Sequence, residues 1–260
     1  FKGLLTALIS TFIFFPLLGF ILADWLFKSN FDFVVGICII AVAPVTVASG
    51  TVLTGLAGGN IPLSLFICVV SNFLAIFTIP FSLQILLNFE QSFHLPVFQM
   101  IKSLLLIVLL PIILGQILRT KLEKALTPFD REISVFSQLI VLLIIFNAIA
   151  SSTSKIIQMG GSIIYILLFM FFFHGLILTL NWGLANLIKL NYPSVAAFTI
   201  HTSQKTLTVS YIVWAGYFAQ QFPLAMIPAI CYHLTQMVVD TIVAHQFKTK
   251  IERAKFILDN

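Results

Sequence analysis

The sequence predicts an all-α polytopic membrane protein, and three observations lead there. Apolar residues make up 60% of the 260-residue chain and charged residues only 9%, against roughly 45–50% and about 25% in soluble domains. The mean hydropathy is +1.08. The apolar residues are gathered into runs near the length of about 20 residues that crosses a bilayer. A chain this poor in charge could not cover its own surface in water, whereas lipid tails solvate apolar side chains directly. The 27 phenylalanines suit lipid-facing helix surfaces. Strands are excluded because the runs are too long and an open sheet edge is not viable in lipid.

Eight segments qualify as spans: Gly3–Phe27, Phe33–Leu56, Ile61–Leu87, Val97–Leu118, Ile133–Ala150, Ser162–Ile188, Ser194–Gly216 and Phe222–Phe247. Pro16 is expected to kink the first, because proline removes a backbone donor and clashes one turn back. The chain opens at Phe1 with neither a Met nor a signal-like apolar stretch, and reads as a fragment. Cys38, Cys68 and Cys231 lie inside apolar runs, with neither disulfide nor metal-site spacing, and read as small packing residues.

Basic loops set the orientation. Arg119, Lys121, Lys124 and Arg131 lie between the fourth and fifth spans, and Lys248, Lys250, Arg253 and Lys255 follow the last. Both groups belong on the cytoplasmic side by the positive-inside rule, and the even number of crossings between them agrees. Lys189 and Lys2 then fall inside as well. The loop at 88–94, without Lys or Arg, falls outside. The net charge of +5 is accounted for in this way, and nucleic-acid binding is not expected. The expected location is a bacterial inner membrane or a plasma membrane, with the C-terminus cytoplasmic and lipid as the surrounding partner.

Two spans carry polar interruptions. The second contains Pro44, Thr46, Ser49, Gly50, Thr51 and Thr54 within eleven residues. The seventh reads His201-Thr-Ser-Gln-Lys-Thr-Leu-Thr-Val-Ser210, in which eight of ten residues are polar or ionisable. A charge at a helix centre costs at least about 2.5–3.5 kcal/mol on insertion scales, so Lys205 requires a compensating partner, a watery cavity or a function. Unwound backbone at membrane depth is tolerated only inside protein or along a cavity. The plainer reading of the second span is a Pro-kinked helix with small residues for close packing.

The pair of interruptions favours more than packing. The first three spans and the last three have opposite orientation, and each triplet has a breakable middle helix. That is the inverted-repeat pattern of secondary transporters, whose sites form where two discontinuous helices meet. The last five spans would be a complete repeat. The first three would be its partner lacking two leading helices, on the order of 50–70 residues at spanning length, and without them transport is not expected. The intact protein would then have ten helices.

Four motifs carry a family resemblance across the chain. They are Pro44-x4-Ser49-x3-Leu53-Thr54-x2-Ala57-Gly58-Gly59-Asn60 with Ser71-Asn72 and Pro80; Pro111-x3-Gly115-Gln116-x2-Arg119; His201-Thr-Ser-Gln-Lys205-Thr-Leu; and Tyr232-His233-x2-Gln236. The sequence resembles the bile acid:sodium symporter superfamily, in the branch of its seventh vertebrate member and related bacterial proteins. The resemblance implies a core domain moving against a panel domain, with two crossing broken helices in the core. Residues 1–96 would hold the first-repeat core helices, 97–160 half of the panel, 161–247 the second-repeat core helices and 248–260 a cytoplasmic basic tail. One departure bears on coupling. The seventh span has no Asp or Glu, and Lys205 stands where a neutral Asn is expected. An ammonium is a poor neighbour for sodium but can take a cation's place.

The expected function is secondary active transport of a small organic anion. Half-helix N-termini and Lys205 would supply positive potential. Thr46, Ser49, Gly50, Thr51, Thr54, Ser71 and Asn72 would line the site from the first repeat, and His201, Thr202, Ser203, Gln204, Lys205 and Thr206 from the second. His233 and Gln236 would join from the last span. No cofactor or metal site is assigned, and sodium or a proton would be the coupling ion. His233, Gln236 and Asp240 share one helix face and read either as a bundle-facing hydrogen-bond stripe or as part of the site. Asp240 is expected near the cytoplasmic end and solvated, and His174 to be an isolated structural histidine. The alternative function is a non-transporting membrane regulator that keeps the fold. An intramembrane enzyme is not expected, since no paired aspartates, H-E-x-x-H or G-x-S-x-G occur.

Overall fold

The computed structural model describes residues 2–88 and 95–259. All regular structure among them is helical. The loop 89–94, expected on the outer side, lies outside the described residues, as do Phe1 and Asn260. Five helices are long and apolar enough to cross a bilayer, or six if Lys121–Ile133 and Val135–Ser151, bent by 46°, count as one. The protein is an integral membrane protein built of several apolar helices.

Helix α1 (Lys2–Phe27) contains a π turn at Ser10–Phe14, and its last part begins at Phe15 with Pro16 in the first turn. The kink expected of Pro16 therefore takes the form of a widened turn ahead of the proline, where its missing N–H and its ring need room. Helix α2 (Phe31–Val42) is buried from Phe33 to Val42. Its Gly36 is required by close approach, since a Cβ there would come within 2.1 Å of the Ala225 carbonyl oxygen. Helix α2 ends because Pro44 follows. Ala43, the residue before the proline, is driven out of the helical region to φ −61°, ψ 151°. The chain resumes as α3 (Ser49–Leu56), and Gly58 in the left-handed region (φ 69°) turns it into α4 (Ile61–Asn88).

The next helix, α5, runs through Val97–Leu104, a π turn at Leu105–Leu109 that again precedes a proline, and Leu110–Leu126. Helix α6 (Asp130–Met159) follows after the 3-10 turn Thr127–Phe129. Here the structure corrects the expected loop between Arg119 and Arg131, which is helical over most of its length. Its Lys, Leu, Glu and Ala are good helix formers, and polarity marks contact with water rather than the end of a helix. Much of α5 and α6 displays exposed apolar side chains, among them Ile107, Leu143 and Phe146.

The last part of the chain comprises α7 (Ser162–Leu187), α8 (Tyr192–Ser203), α9 (Leu207–Tyr217) and α10 (Met226–Asp259). Asn191 caps α8 by accepting a bond from the Ser194 N–H at 3.1 Å, with Pro193 in the first turn. Helix α10 extends well past Phe247, where the last span was expected to end. The core is aromatic where α1, α2, α7 and α10 meet. The Phe15 ring lies edge-on to Phe173 and Tyr232 at centroid distances of 5.2 and 5.6 Å. All three cysteines are free and buried.

Candidate functional site

Both interrupted spans are broken, and the two breaks meet. The first break covers the stretch between Val42 and Ser49, and the second the stretch between Ser203 and Leu207. The Thr206 N–H donates to the Pro44 carbonyl at 3.0 Å, so the two extended segments share a backbone hydrogen bond.

No proline ends α8. The α10 side chain of Gln236 holds that break open. Its Oε1 accepts from the Lys205 N–H at 2.8 Å and its Nε2 donates to the Lys205 carbonyl at 3.0 Å. One side-chain amide thus satisfies both backbone groups that the missing helical turn releases. His233 Nδ1 lies 3.1 Å from the same Nε2 and is only partly buried.

Lys205 is fully buried. Its ammonium donates to the Ala43 carbonyl at 2.8 Å and to the Thr11 carbonyl at 3.0 Å, and it sits 4.2 Å from the centre of the Phe15 ring. The origin of this arrangement is local. Pro44 makes Ala43 extended, which frees its carbonyl from the α2 ladder, and the π turn of α1 begins one residue before Thr11. A lysine nitrogen at a break in one helix is therefore held by carbonyls at irregularities in two others, with a ring face beside it.

The remaining expected residues divide into two groups. Thr46 donates to Gln204 Oε1 at 2.6 Å and accepts from the Gly50 N–H at 3.0 Å, while Ser49 Oγ lies 2.9 Å from both Thr46 Oγ1 and Gln204 Oε1. His201 Nε2 meets the Thr46 carbonyl at 2.9 Å, and its Nδ1 meets Ser64 Oγ in a short contact. Nε2 must carry the proton, because a carbonyl can only accept. Gly50 leaves room for that ring, since a Cβ would fall 2.4 Å from His201 Cδ2. Asn72 reaches the Val45 carbonyl at 3.1 Å, and Ser203 accepts from Asn181 at 2.8 Å. By contrast, Ser71 bonds back to the Cys68 carbonyl of its own helix, and Thr51 has only a 3.5 Å contact from Ser64. The Thr54 and Thr202 hydroxyls are buried without a partner.

Two sequence expectations are overturned. Asp240 is not solvated and His174 is not isolated. Both are fully buried, with His174 Nε2 2.7 Å from Asp240 Oδ1. Gln204 Nε2 donates to Asp240 Oδ2 at 2.7 Å, which brings a carboxylate to the second break from α10. Tyr232, fully buried, donates to the Ser203 carbonyl at 2.6 Å and lies 2.8 Å from His174 Nδ1. Tyr232, Gln236 and Asp240 recur every four residues, which puts them on one face of α10. That spacing was the available signal. Their partners lie on other helices and left none.

A cavity of about 250 Å³ lies one turn away, lined by residues that include Leu178, Thr179, Tyr192, Thr199, Val243 and Lys250. None of the expected site residues borders it. The accessible edge of the place where the two breaks meet is elsewhere, at exposed Val47 and partly buried Ser49, Thr51 and Thr206.

Comparison with known proteins gives the chain its context. It is 27% identical over 228 residues to "Probable sodium/metabolite cotransporter BASS4, chloroplastic" of Arabidopsis thaliana, covering 82% of this chain and 52% of that protein. The protein of the same name from Oryza sativa subsp. indica is 26% identical over 249 residues, 88% of this chain and 59% of its own length. "Sodium/bile acid cotransporter 7" of Xenopus tropicalis is 25% identical over 234 residues, 87% and 65% of the two chains. The chain thus spans between about half and two thirds of the length of these curated relatives. These are transporters and not enzymes, and the model of one transporter family matches residues 1–249. The chain belongs to the SBF-like CPA transporter family.

Proposed function

We propose that the chain forms site-bearing helices of a secondary active transporter for a small organic anion, working by alternating access. The observation that carries this reading is the meeting of two helix breaks around the buried Lys205 ammonium. Helices α3 and α9 both begin at the breaks, so their N-terminal dipole ends add positive potential to that of the lysine. Ser49, Thr51 and Thr206 at the accessible edge would give a bound anion its hydroxyl and backbone contacts. Lys205 would act from behind them, and would come nearer when the helices shift between inward-facing and outward-facing forms.

The same reading organises the fold. Counting each broken segment as one crossing, beside the five long apolar helices and the bent pair Lys121–Ile133 and Val135–Ser151 taken as one, brings the total to eight. Residues 1–96 and 161–247 would then be the inverted core repeats of a two-domain transporter. Residues 97–160 would form half of the panel that the core moves against, and 248–260 the tail. The basic residues from Arg119 to Arg131 and those from Lys248 to Lys255 would face the cytoplasm, in a bacterial inner or plasma membrane.

The relatives named above carry sodium in their names. In this chain the Lys205 nitrogen already occupies the carbonyl oxygens of Ala43 and Thr11 where the two breaks meet, and we assign it the place of a bound cation.

The test is anion counterflow in proteoliposomes, with radiolabelled carboxylates and sulfonates inside and outside, for the protein with both halves of the panel present, as wild type and as Lys205→Met. Saturable exchange that the variant lacks supports the reading. A folded wild type that exchanges no anion, while still changing a cellular phenotype, is the result expected of a membrane regulator.

A further inference from the structure

The proton positions around His174 can be worked out from its partners. The Ser203 carbonyl can only accept, so at 2.6 Å the Tyr232 hydroxyl must donate to it. That hydroxyl has a single proton. The 2.8 Å contact between Tyr232 and His174 Nδ1 therefore requires a proton on Nδ1. On the other side of the ring, Nε2 lies 2.7 Å from Asp240 Oδ1, and a hydrogen bond there needs a second proton, held by Nε2 or by the carboxyl. Asp240 Oδ2 accepts from Gln204 Nε2, and the amide oxygen at the other end accepts from the Thr46 hydroxyl. As arranged, His174 and Asp240 together hold one proton more than a neutral imidazole and a carboxylate would.

We infer that the His174–Asp240 pair is a proton-binding site that locks the second helix break, so that the coupling ion of this protein is the proton. The inference deepens the transport reading above and rests on it. When the pair releases its proton to water, the neutral imidazole keeps only one. With that proton on Nε2, Asp240 stays bonded, Nδ1 becomes an acceptor, and Tyr232 must turn its hydroxyl to the ring and abandon the Ser203 carbonyl. With the proton on Nδ1, Tyr232 stays, but two acceptors face each other at Asp240 and the carboxylate must withdraw, taking Gln204 with it. Either way one tie between α10 and the second break is lost. The lock is closed at low pH and opens as pH rises.

A path for the proton adjoins the pair. Leu178 and Val243, four residues after His174 and three after Asp240, line the 250 Å³ cavity. Thr199 lines it too and has a buried hydroxyl without a partner. Of the other titratable groups nearby, Lys205 is held by carbonyls and the Phe15 ring, His201 by Thr46 and Ser64, and His233 by Gln236. Asp24 of α1 lies near Cys38, Lys250 borders the cavity, and His245 is exposed.

The test uses the purified protein in lipid nanodiscs and needs no substrate. Infrared difference spectra between about pH 5 and about pH 9 should show a carboxyl–imidazole signal that is lost in His174→Gln and in Asp240→Asn and kept in His233→Gln. Amide hydrogen exchange over residues 203–206, corrected for its intrinsic pH dependence, should rise in a step across the same range. Tyr232→Phe should keep the infrared signal, and Tyr232→Phe combined with Gln204→Leu, which lacks both ties, should lose the exchange step. A signal unchanged in His174→Gln and Asp240→Asn overturns the inference, and so does an exchange step that survives in the Tyr232→Phe, Gln204→Leu variant. Should His174→Gln and Asp240→Asn fail to fold, that double variant decides alone. Anion carriage fails separately, as absent counterflow with the titration intact.

Discussion

Gln204 donates to Asp240 at 2.7 Å although 36 residues and a change of helix separate them. The other end of the same amide accepts from Thr46, so one side chain joins the first break to the carboxylate of α10. Gln204→Leu would strand a buried carboxylate oxygen and a buried hydroxyl. The expected loss is about 2–3 kcal/mol in denaturant unfolding of the detergent-solubilised protein. Combined with Asp240→Asn in a double-mutant cycle, the coupling should exceed about 1 kcal/mol. Additive effects would contradict the bond.

Gly50 is held to glycine by the His201 ring. Gly50→Ala should cost about 1–3 kcal/mol, the range for overpacking a well-filled core. Gly115, where a Cβ meets nothing within 4 Å, is the control, and Gly115→Ala should be neutral or stabilising by up to about 1 kcal/mol. Thermal unfolding of the two variants beside the wild type checks the contrast. His201→Ala in the Gly50→Ala background should recover part of the loss.

Thr54 and Thr202 bury hydroxyls that bond to nothing. Thr54→Val and Thr202→Val remove that cost and keep the shape, so both should unfold at the wild-type temperature or above it. A clear fall in either would show that its hydroxyl has a partner in the folded protein.

How much of this was legible in the sequence varies from residue to residue. The first break could be read because Pro44 acts locally, through a missing donor and a ring that forces Ala43 extended. The second could be read because eight polar side chains crowd one apolar run. The partners could not. Lys205 is held by backbone carbonyls, which every residue has, and those carbonyls are free only because of irregularities elsewhere. Asp240 was misplaced because its depth was counted from Phe247, whereas α10 continues to Asp259. His174 stands alone in its own helix, and its partner is 66 residues away. The charged stretch around Arg119–Arg131 was taken for a loop because charge reports water, and helix ends are set by capping and propensity instead.

The central claim is that the positive charge at the crossing serves an anion. Lys205→Met should fold, because replacing a buried charge with a side chain of similar shape removes a desolvation cost that offsets the lost bonds. The direct measurement is the unfolding temperature of the wild type and Lys205→Met, each titrated with a panel of carboxylates and sulfonates and with neutral and cationic analogues. The account predicts that at least one anion raises the wild-type temperature and leaves Lys205→Met unmoved. Stabilisation by neutral or cationic compounds alone, or an equal anion response in the variant, would contradict it.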